Sequence, residues 1–352
     1  MSEGQMSSQK RLPVTIITGF LGSGKTTLLN NIIRKNPDTR FAIIENEFGE
    51  MGIDGDLVSN DNTSVYELVN GCICCSLSRD FYQSLQSIID RPGDVDHLLV
   101  ETTGIADPMS VIDVFMANNT IEKHFEINSV ICLADSATLE KTLDAEPESR
   151  KQIALSDIVL LNKLDLIDGE RTDNLKELIA DINPMAKIVE TSYAQTNGTP
   201  LLQTKAYACR HIEESTISCN QLNLSLHDIA RTNGSMINQN GKKHRHDIHA
   251  EGFIFDECFD LELFNIWMSS YLYFNQQSLY RVKGILNFKN KNKRCIFQAV
   301  KGSYIFEEGS DWKSDESRYS KIVFIGKYID RDVLEKNLSK LFQEHKPSKV
   351  QA

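Results

Sequence analysis

Eight consecutive residues, Gly19-Phe20-Leu21-Gly22-Ser23-Gly24-Lys25-Thr26, constrain this chain more than any other feature. They satisfy the pattern G-x-x-x-x-G-K-[ST] in full. A β-branched run, Val14-Thr15-Ile16-Ile17-Thr18, precedes them, and Leu28-Leu29-Asn30-Asn31-Ile32-Ile33 follows with helical apolar spacing. Strand, glycine loop and helix in that order let backbone N–H groups converge on phosphate oxygens at a helix N-terminus. Gly19, Gly22 and Gly24 admit the tight backbone, with Ser23 between the last two. Lys25 would bridge the β- and γ-phosphates, and the Thr26 hydroxyl, followed by Thr27, would ligate Mg²⁺. The expectation is a nucleoside triphosphate site.

Further short apolar runs suit buried parallel strands: Phe41 to Ile44, His97 to Val100, Ser129 to Leu133 and Ile158 to Leu161. Helical spacing separates several of them, at Asp80 to Ile89, Pro108 to Ala117 and Asn174 to Ile182. Alternation of this kind predicts a doubly wound α/β domain with a mostly parallel sheet, placed at residues 11–212 after a disordered tail, 1–10. Residues 213–250 turn rich in Asn, Ser, His and Gln and read as a flexible linker. Beyond them, strands are expected at 252–255, 280–286, 295–300 and 322–326, with helices near 260–274 and 330–343. Residues 251–352 therefore read as a smaller α+β domain.

Asn162-Lys163-Leu164-Asp165 follows the strand ending at Leu161 and has the form N-K-x-D. A carboxylate at Asp165 can accept from both N1–H and the exocyclic amine of guanine, a donor pair that adenine lacks, so mismatched bases leave polar groups unpaired. Asn162 would support the loop, and the stem of Lys163 would lie over the base. Thr191-Ser192 reads either as a further base-facing loop or as a plain polar turn. Between these motifs, Leu98-Leu99-Val100 leads into Glu101-Thr102-Thr103-Gly104. Glu101 would hold a water of the Mg²⁺ shell or orient the attacking water, and Gly104 would bring its N–H to the γ-phosphate.

Gly71-Cys72-Ile73-Cys74-Cys75 is the most unusual segment of the chain. Closely spaced thiolates are soft ligands for Zn²⁺, and no second Cys-x-x-Cys occurs to complete a structural site. An unsaturated, exchangeable metal site, a redox pair and plain buried cysteines are the three readings. The cluster shares the interval between the phosphate loop and Glu101 with Glu45-Asn46-Glu47-Phe48-Gly49-Glu50-Met51-Gly52-Ile53-Asp54, read as an acidic, glycine-bearing mobile loop. Segments of that interval are ordered by a γ-phosphate and released on hydrolysis in nucleotide switches.

Composition narrows the partners. Among 352 residues, 49 are acidic and 38 basic, for a net charge of −11, which excludes a chain-wide footprint for nucleic acid and disfavours an anionic membrane surface. No run approaches the roughly 18 apolar residues of a membrane span, and MSEGQMSSQK has no signal-peptide core. A cytoplasmic location is the expectation, where the eight cysteines would stay reduced.

Taken together, Gly19 to Thr27, Glu45 to Glu50, Gly71 to Cys75, Glu101-Thr102-Thr103-Gly104-Ile105-Ala106-Asp107-Pro108 and Asn162 to Asp165 resemble the CobW-type GTPases, a family of zinc metallochaperones, and within it the bacterial YjiA-like branch. The likeness extends to Tyr280-Arg281-Val282-Lys283-Gly284 and to Lys321-Ile322-Val323-Phe324-Ile325-Gly326. It implies a phosphate-loop NTPase fold, GTP hydrolysis, and zinc, Co²⁺ or Ni²⁺ held by Cys72, Cys74 and Cys75 with Glu45 and Glu50 as carboxylate ligands. It also implies a client metalloprotein, with the C-terminal domain and its Trp267 and Trp312 as the recognising part, and is compatible with a homo-oligomer. Eukaryotic members engage a methionine aminopeptidase through a short N-terminal motif; MSEGQMSSQKRLP holds no such segment, so that client is not implied. His244, His246 and His249 read either as a weak metal-loading site or as solvated linker. A different class of function, a nucleotide-dependent binding or redox-sensing module with a structural thiol site, is the competing expectation.

Overall fold

A computed structural model describes residues 11–46, 65–70, 79–196, 198–207, 212–213, 216 and 248–342. They fall into two units, one of the described residues up to Ile179 with Ala186–Tyr207, the other of Ala180–Met185 with the described residues from Ile212 onward. The first runs β1 (Leu12–Gly19), α1 (Lys25–Lys35), β2 (Phe41–Asn46), β3 (Val65–Asn70), α2 (Arg79–Ile89) and β4 (His97–Glu101). It continues through α3 (Met109–Ala117), α4 (Asn119–His124), β5 (Phe125–Asp135), α5 (Leu139–Ala145), α6 (Pro147–Leu155), β6 (Ile158–Asn162), α7 (Gly169–Ile182), whose residues from Ala180 on group with the second unit, and β7 (Lys187–Glu190). The seven strands lie in the order β3-β2-β4-β1-β5-β6-β7, every pairing parallel. The doubly wound sheet expected from the alternating runs is the observed one.

Period-two alternation sends Ile17, Phe41, Ile43, Leu99, Ile131, Leu133, Ile158 and Leu160 to one face, where Leu28, Leu29, Ile32 and Ile33 of α1 cover them. Near the other face, Phe81 of α2 meets Phe115 of α3 edge to face, and Phe115 meets Phe125 of β5. Covering both faces explains why β6 is buried along its whole length and reads as one apolar run. α1 stops at Asn36, whose Nδ2 donates to Ile32 O at 2.7 Å, and Arg34 and Lys35 in its last turn oppose the helix dipole.

The second unit contains β8 (His249–Phe255), α8 (Leu261–Asn275), β9 (Leu279–Leu286), β10 (Lys293–Val300), β11 (Ser303–Asp311), β12 (Ser320–Gly326) and α9 (Arg331–Ser339). Its sheet has the order β11-β10-β9-β12-β8 and is antiparallel throughout. One face presents Phe253, Phe255, Val282, Phe297 and Phe324 to Phe264, Met268 and Leu272 of α8 and to Leu334 and Leu338 of α9. Asp260 caps α8, accepting from Glu262 N and Leu263 N at 3.0 Å each.

Helices α4, α5 and α6 and strands β3, β7 and β11 are additions to the expected elements. β11 is mostly exposed and β3 is an edge strand, so neither carries the apolar run of a buried strand. Of the stretch 213–250 read as linker, the described positions are built into the second unit. Glu213 is buried on Arg294, Thr216 O accepts from Lys321 Nζ at 2.9 Å, and His249 opens β8. The tail 1–10 lies outside the described residues. No helix among the described residues is long and apolar enough to cross a membrane.

Candidate functional site

The carboxyl ends of the parallel strands carry the polar groups. β1 ends at Gly19, and the loop to α1 follows with positive φ at Gly19, Gly22 and Gly24. At Gly24, which precedes α1, φ is 106° and a Cβ would stand 2.7 Å from Asn162 Nδ2, so only glycine fits between loop and β6. Ser23 is fully buried, and its hydroxyl has no hydrogen-bond partner among the described residues, a polar atom suited to a phosphate oxygen. Lys25, the first helical residue, donates from Nζ to Gly19 O at 3.0 Å and Phe20 O at 3.3 Å. Burial lowers the pKa of this ammonium, and the neighbouring Glu101 carboxylate opposes that shift. Thr26 and Thr27 are exposed on the first turn of α1.

Glu101 ends β4, pairs across the sheet with Ile17 of β1 and with Glu45 of β2, and approaches Thr26 Oγ1 at 3.5 Å. Parallel register therefore brings the Glu45 and Glu101 positions side by side at one edge. Thr102 and Thr18, both fully buried, share a hydrogen bond of 3.0 Å that ties the turn after β4 to β1. Gly104 lies so close to the phosphate loop that a Cβ would meet Leu21 N at 2.6 Å. The two oxygen donors Thr26 Oγ1 and Glu101 Oε1 are hard ligands of the kind Mg²⁺ takes.

Asn162 ends β6 and joins three loops. Its Nδ2 donates to Ser23 O at 2.9 Å, and its Oδ1 accepts from Thr191 Oγ1 and Ala194 N, each at 2.9 Å. Asn162 thus bridges the phosphate loop and the segment Thr191 to Ala194. Lys163 adopts φ 63°, and its ammonium sits 2.8 Å from Asp135 Oδ2. Asp165 is exposed in the short 3₁₀ turn Leu164–Leu166. Asp135, at the end of β5 opposite Asn162 and paired with Lys163, is a member of this polar cluster that sequence reasoning passed over. Its signal was available: an acid ending a long apolar run, as Glu101 does.

Gly19, Ser23, Gly24, Lys25, Thr26, Glu101, Gly104 and Asn162 are brought together at this edge, with Glu45 beside Glu101. Cys72, Cys74, Cys75 and Glu50 lie outside the described residues, as do His244 and His246. β3 ends at Asn70, in register with Asn46 at the carboxyl end of β2, two residues before Cys72. His249 is instead paired with Glu251 at 3.6 Å. Among the described residues no cluster of three metal-binding side chains occurs. Burial pushes the Cys132 thiol up to about 12, which leaves it a protonated packing group in β5.

Residues 13–190 match the family model described as CobW/HypB/UreG, nucleotide-binding domain, and residues 248–342 match the cobalamin synthesis protein cobW C-terminal domain. The chain is 30% identical over 319 residues to the zinc chaperone YjiA of Escherichia coli, covering 90% of this chain and 94% of that protein. It is 30% identical over 368 residues to the zinc-regulated GTPase metalloprotein activator 1 of Saccharomyces cerevisiae, covering 95% and 84%. The crystal structure of Zn(II)-bound YjiA GTPase from E. coli superposes with a TM-score of 0.67 at 26% identity, covering 95% of this chain and all of that one. With both family domains matched in order, and the phosphate loop, Glu101 and Asn162 converging at the carboxyl ends of the parallel strands, this chain belongs to the CobW family.

Proposed function

We propose that this protein is a GTP-hydrolysing metallochaperone of the cytoplasm. It converts GTP and water to GDP and phosphate. It binds zinc, or Co²⁺ or Ni²⁺ by availability, through Cys72, Cys74 and Cys75 with Glu45 and Glu50, and passes the metal to a client metalloprotein under control of nucleotide state. The observation that carries the reading is the bond from Asn162 Nδ2 to Ser23 O, which joins the base-reading loop to the phosphate loop. The names of the relatives, zinc chaperone and zinc-regulated GTPase, support it.

Each residue then has a task. Loop amides from Gly19 to Lys25 cradle the phosphates, and the Lys25 ammonium offsets charge that builds on the β–γ bridge as that bond breaks. Thr26 and Glu101 would hold Mg²⁺, which when bound supplies positive charge to the same phosphates. Glu101 is also a carboxylate able to orient the attacking water. The Asp165 carboxylate selects guanine by accepting from the N1–H and the exocyclic amine of the base. Metal is cargo here, and its coupling to nucleotide follows from placement. The register supports this: Glu45, a proposed metal ligand, pairs with Glu101 and with Val69, which precedes Cys72 by three residues in the sequence.

Zinc titration of the full chain with GDP and with a non-hydrolysable GTP analogue tests the coupling. The expected result is a difference in zinc affinity of about tenfold, mirrored by an equal effect of zinc on analogue affinity. Equal zinc affinities in the two nucleotide states would refute gated transfer. Replacement of Asp165 by Asn is expected to shift preference from guanine to xanthine nucleotides by about a hundredfold, read by competition binding.

A further inference from the structure

The loop after β4 is held by a helix that carries none of the nucleotide motifs. Gln152 of α6 is 1% exposed, and its Nε2 donates to Gly104 O at 3.0 Å and to Ala106 O at 3.3 Å. Its neighbour Lys151 places Nζ 3.2 Å from Asp107 Oδ2. Two adjacent side chains of one helix therefore grip Gly104 to Asp107, and Asp107 Oδ1 in turn accepts from Met109 N at 3.0 Å, at the start of α3. On its other side Gly104 touches Leu21 of the phosphate loop, with no room for a Cβ. α6 continues through Asp157 into β6, whose final residue Asn162 bonds the same phosphate loop at Ser23 O.

A primary amide donating both hydrogens to two main-chain carbonyls fixes the orientation of the intervening peptide groups. Gln152 pins Gly104 O and Ala106 O, and Thr103 O, in the same peptide group as the Gly104 N–H, accepts from Ala106 N at 3.0 Å, so the loop has little freedom to rotate that N–H. We propose that Gln152 is a positioning residue for γ-phosphate recognition. It sets the Gly104 loop against the phosphate loop so that triphosphate is distinguished from diphosphate, and it does so without touching nucleotide. This rests on the reading of Gly104 as the γ-phosphate contact.

The test uses the full-length protein with the substitutions Gln152→Met, which keeps the shape and removes the donor, and Gln152→Glu. Affinities for GDP and for a non-hydrolysable GTP analogue with Mg²⁺ are measured beside deuterium exchange of residues 103–107. In the unsubstituted protein the analogue is expected to protect this loop more than GDP does. Gln152→Met is expected to weaken analogue binding and slow turnover by about tenfold, to change GDP affinity by less than about twofold, and to erase the extra protection. Gln152→Glu is expected to match Gln152→Met at about pH 8 and to regain analogue affinity near pH 6, because only the protonated carboxyl of a buried glutamate can donate to Gly104 O. Equal loss for GDP and analogue, or a folded Gln152→Met protein with unchanged analogue affinity, would overturn the proposal. Identical loop exchange with both nucleotides in the unsubstituted protein would instead remove the reading of Gly104, and the proposal with it.

Discussion

The two sheets place their polar groups in opposite ways. In the parallel sheet the strand interiors are mostly apolar on both faces, Thr15, His97, Asn128 and Ser129 excepted, and Glu45, Glu101, Asp135 and Asn162 stand at the carboxyl ends. In the antiparallel sheet, Arg281, Lys283, Arg294, Gln298 and Lys321 are buried within the strands, on the face opposite the phenylalanine core. Arg294 bonds Glu213 at 2.6 Å, also reaches Ser310 and Glu316, and lies 4.8 Å over the ring of Trp312. Helices on both sides leave a parallel sheet only its ends for chemistry. An antiparallel sheet with helices on one face can build a charged network on the other, provided each charge is paired. In the first unit, then, polar substitutions should alter reaction and recognition; in the second they should alter stability.

The sharpest way to break this contrast is at Lys25. Lys25→Ala is expected to lower GTP turnover by about a thousandfold, measured as phosphate release, with a melting temperature within a few degrees of the parent. A thousandfold loss accompanied by unfolding would place a stability role at the strand end and weaken the division. Arg294→Leu is the counterpart in the second unit. It leaves the Glu213 carboxylate buried without its partner, and denaturant melts should show a loss of about 3–5 kcal/mol while GTP affinity of the folded protein is unchanged.

A third expectation tests whether the parallel sheet holds any polar group purely for structure. His97, in β4, bonds Thr15 Oγ1 at 2.8 Å, and Asn128 Nδ2 donates to the same oxygen at 3.0 Å. Burial lowers the His97 pKa from 6.5 to about 4. The folded protein thus stays neutral there while the unfolded chain takes up a proton. The stabilisation is complete above pH 6.5 and is lost as pH falls toward 4, by at most about 3 kcal/mol. Equilibrium melts across that window should lose this slope in His97→Gln; an unchanged slope would assign it to other groups. The smallest effect is expected at Asp330, which caps α9 by accepting from Val333 N at 3.1 Å. Asp330→Ala should cost about 1 kcal/mol in a denaturant melt and leave turnover unaffected.

Much of the site was legible in the amino-acid order because its motifs are local. The phosphate loop is one contiguous strand-loop-helix, and Asn162 to Asp165 is one strand end. Glu101 was legible as an acid closing an apolar run. Strand β11 was not, since Tyr304, Glu307 and Glu308 spread its exposure over both faces and blur the period of two. The burial of Glu213 was hidden for another reason. It sits in a polar stretch that resembles a linker, and its partner Arg294 is 81 residues away.

By itself, then, the order of residues determined the nucleotide chemistry, the parallel architecture of the first unit and the family. These depend on spacings of two to eight residues, over which backbone geometry is nearly fixed. The tertiary structure alone decided which separated groups meet: Asn162 with Ser23 across 139 residues, and Gln152 with Gly104 across 48. Those meetings are set by strand order, by register and by the side of the sheet on which each helix lies. No local pattern encodes them, because the free energy that selects them is shared across the whole packed core.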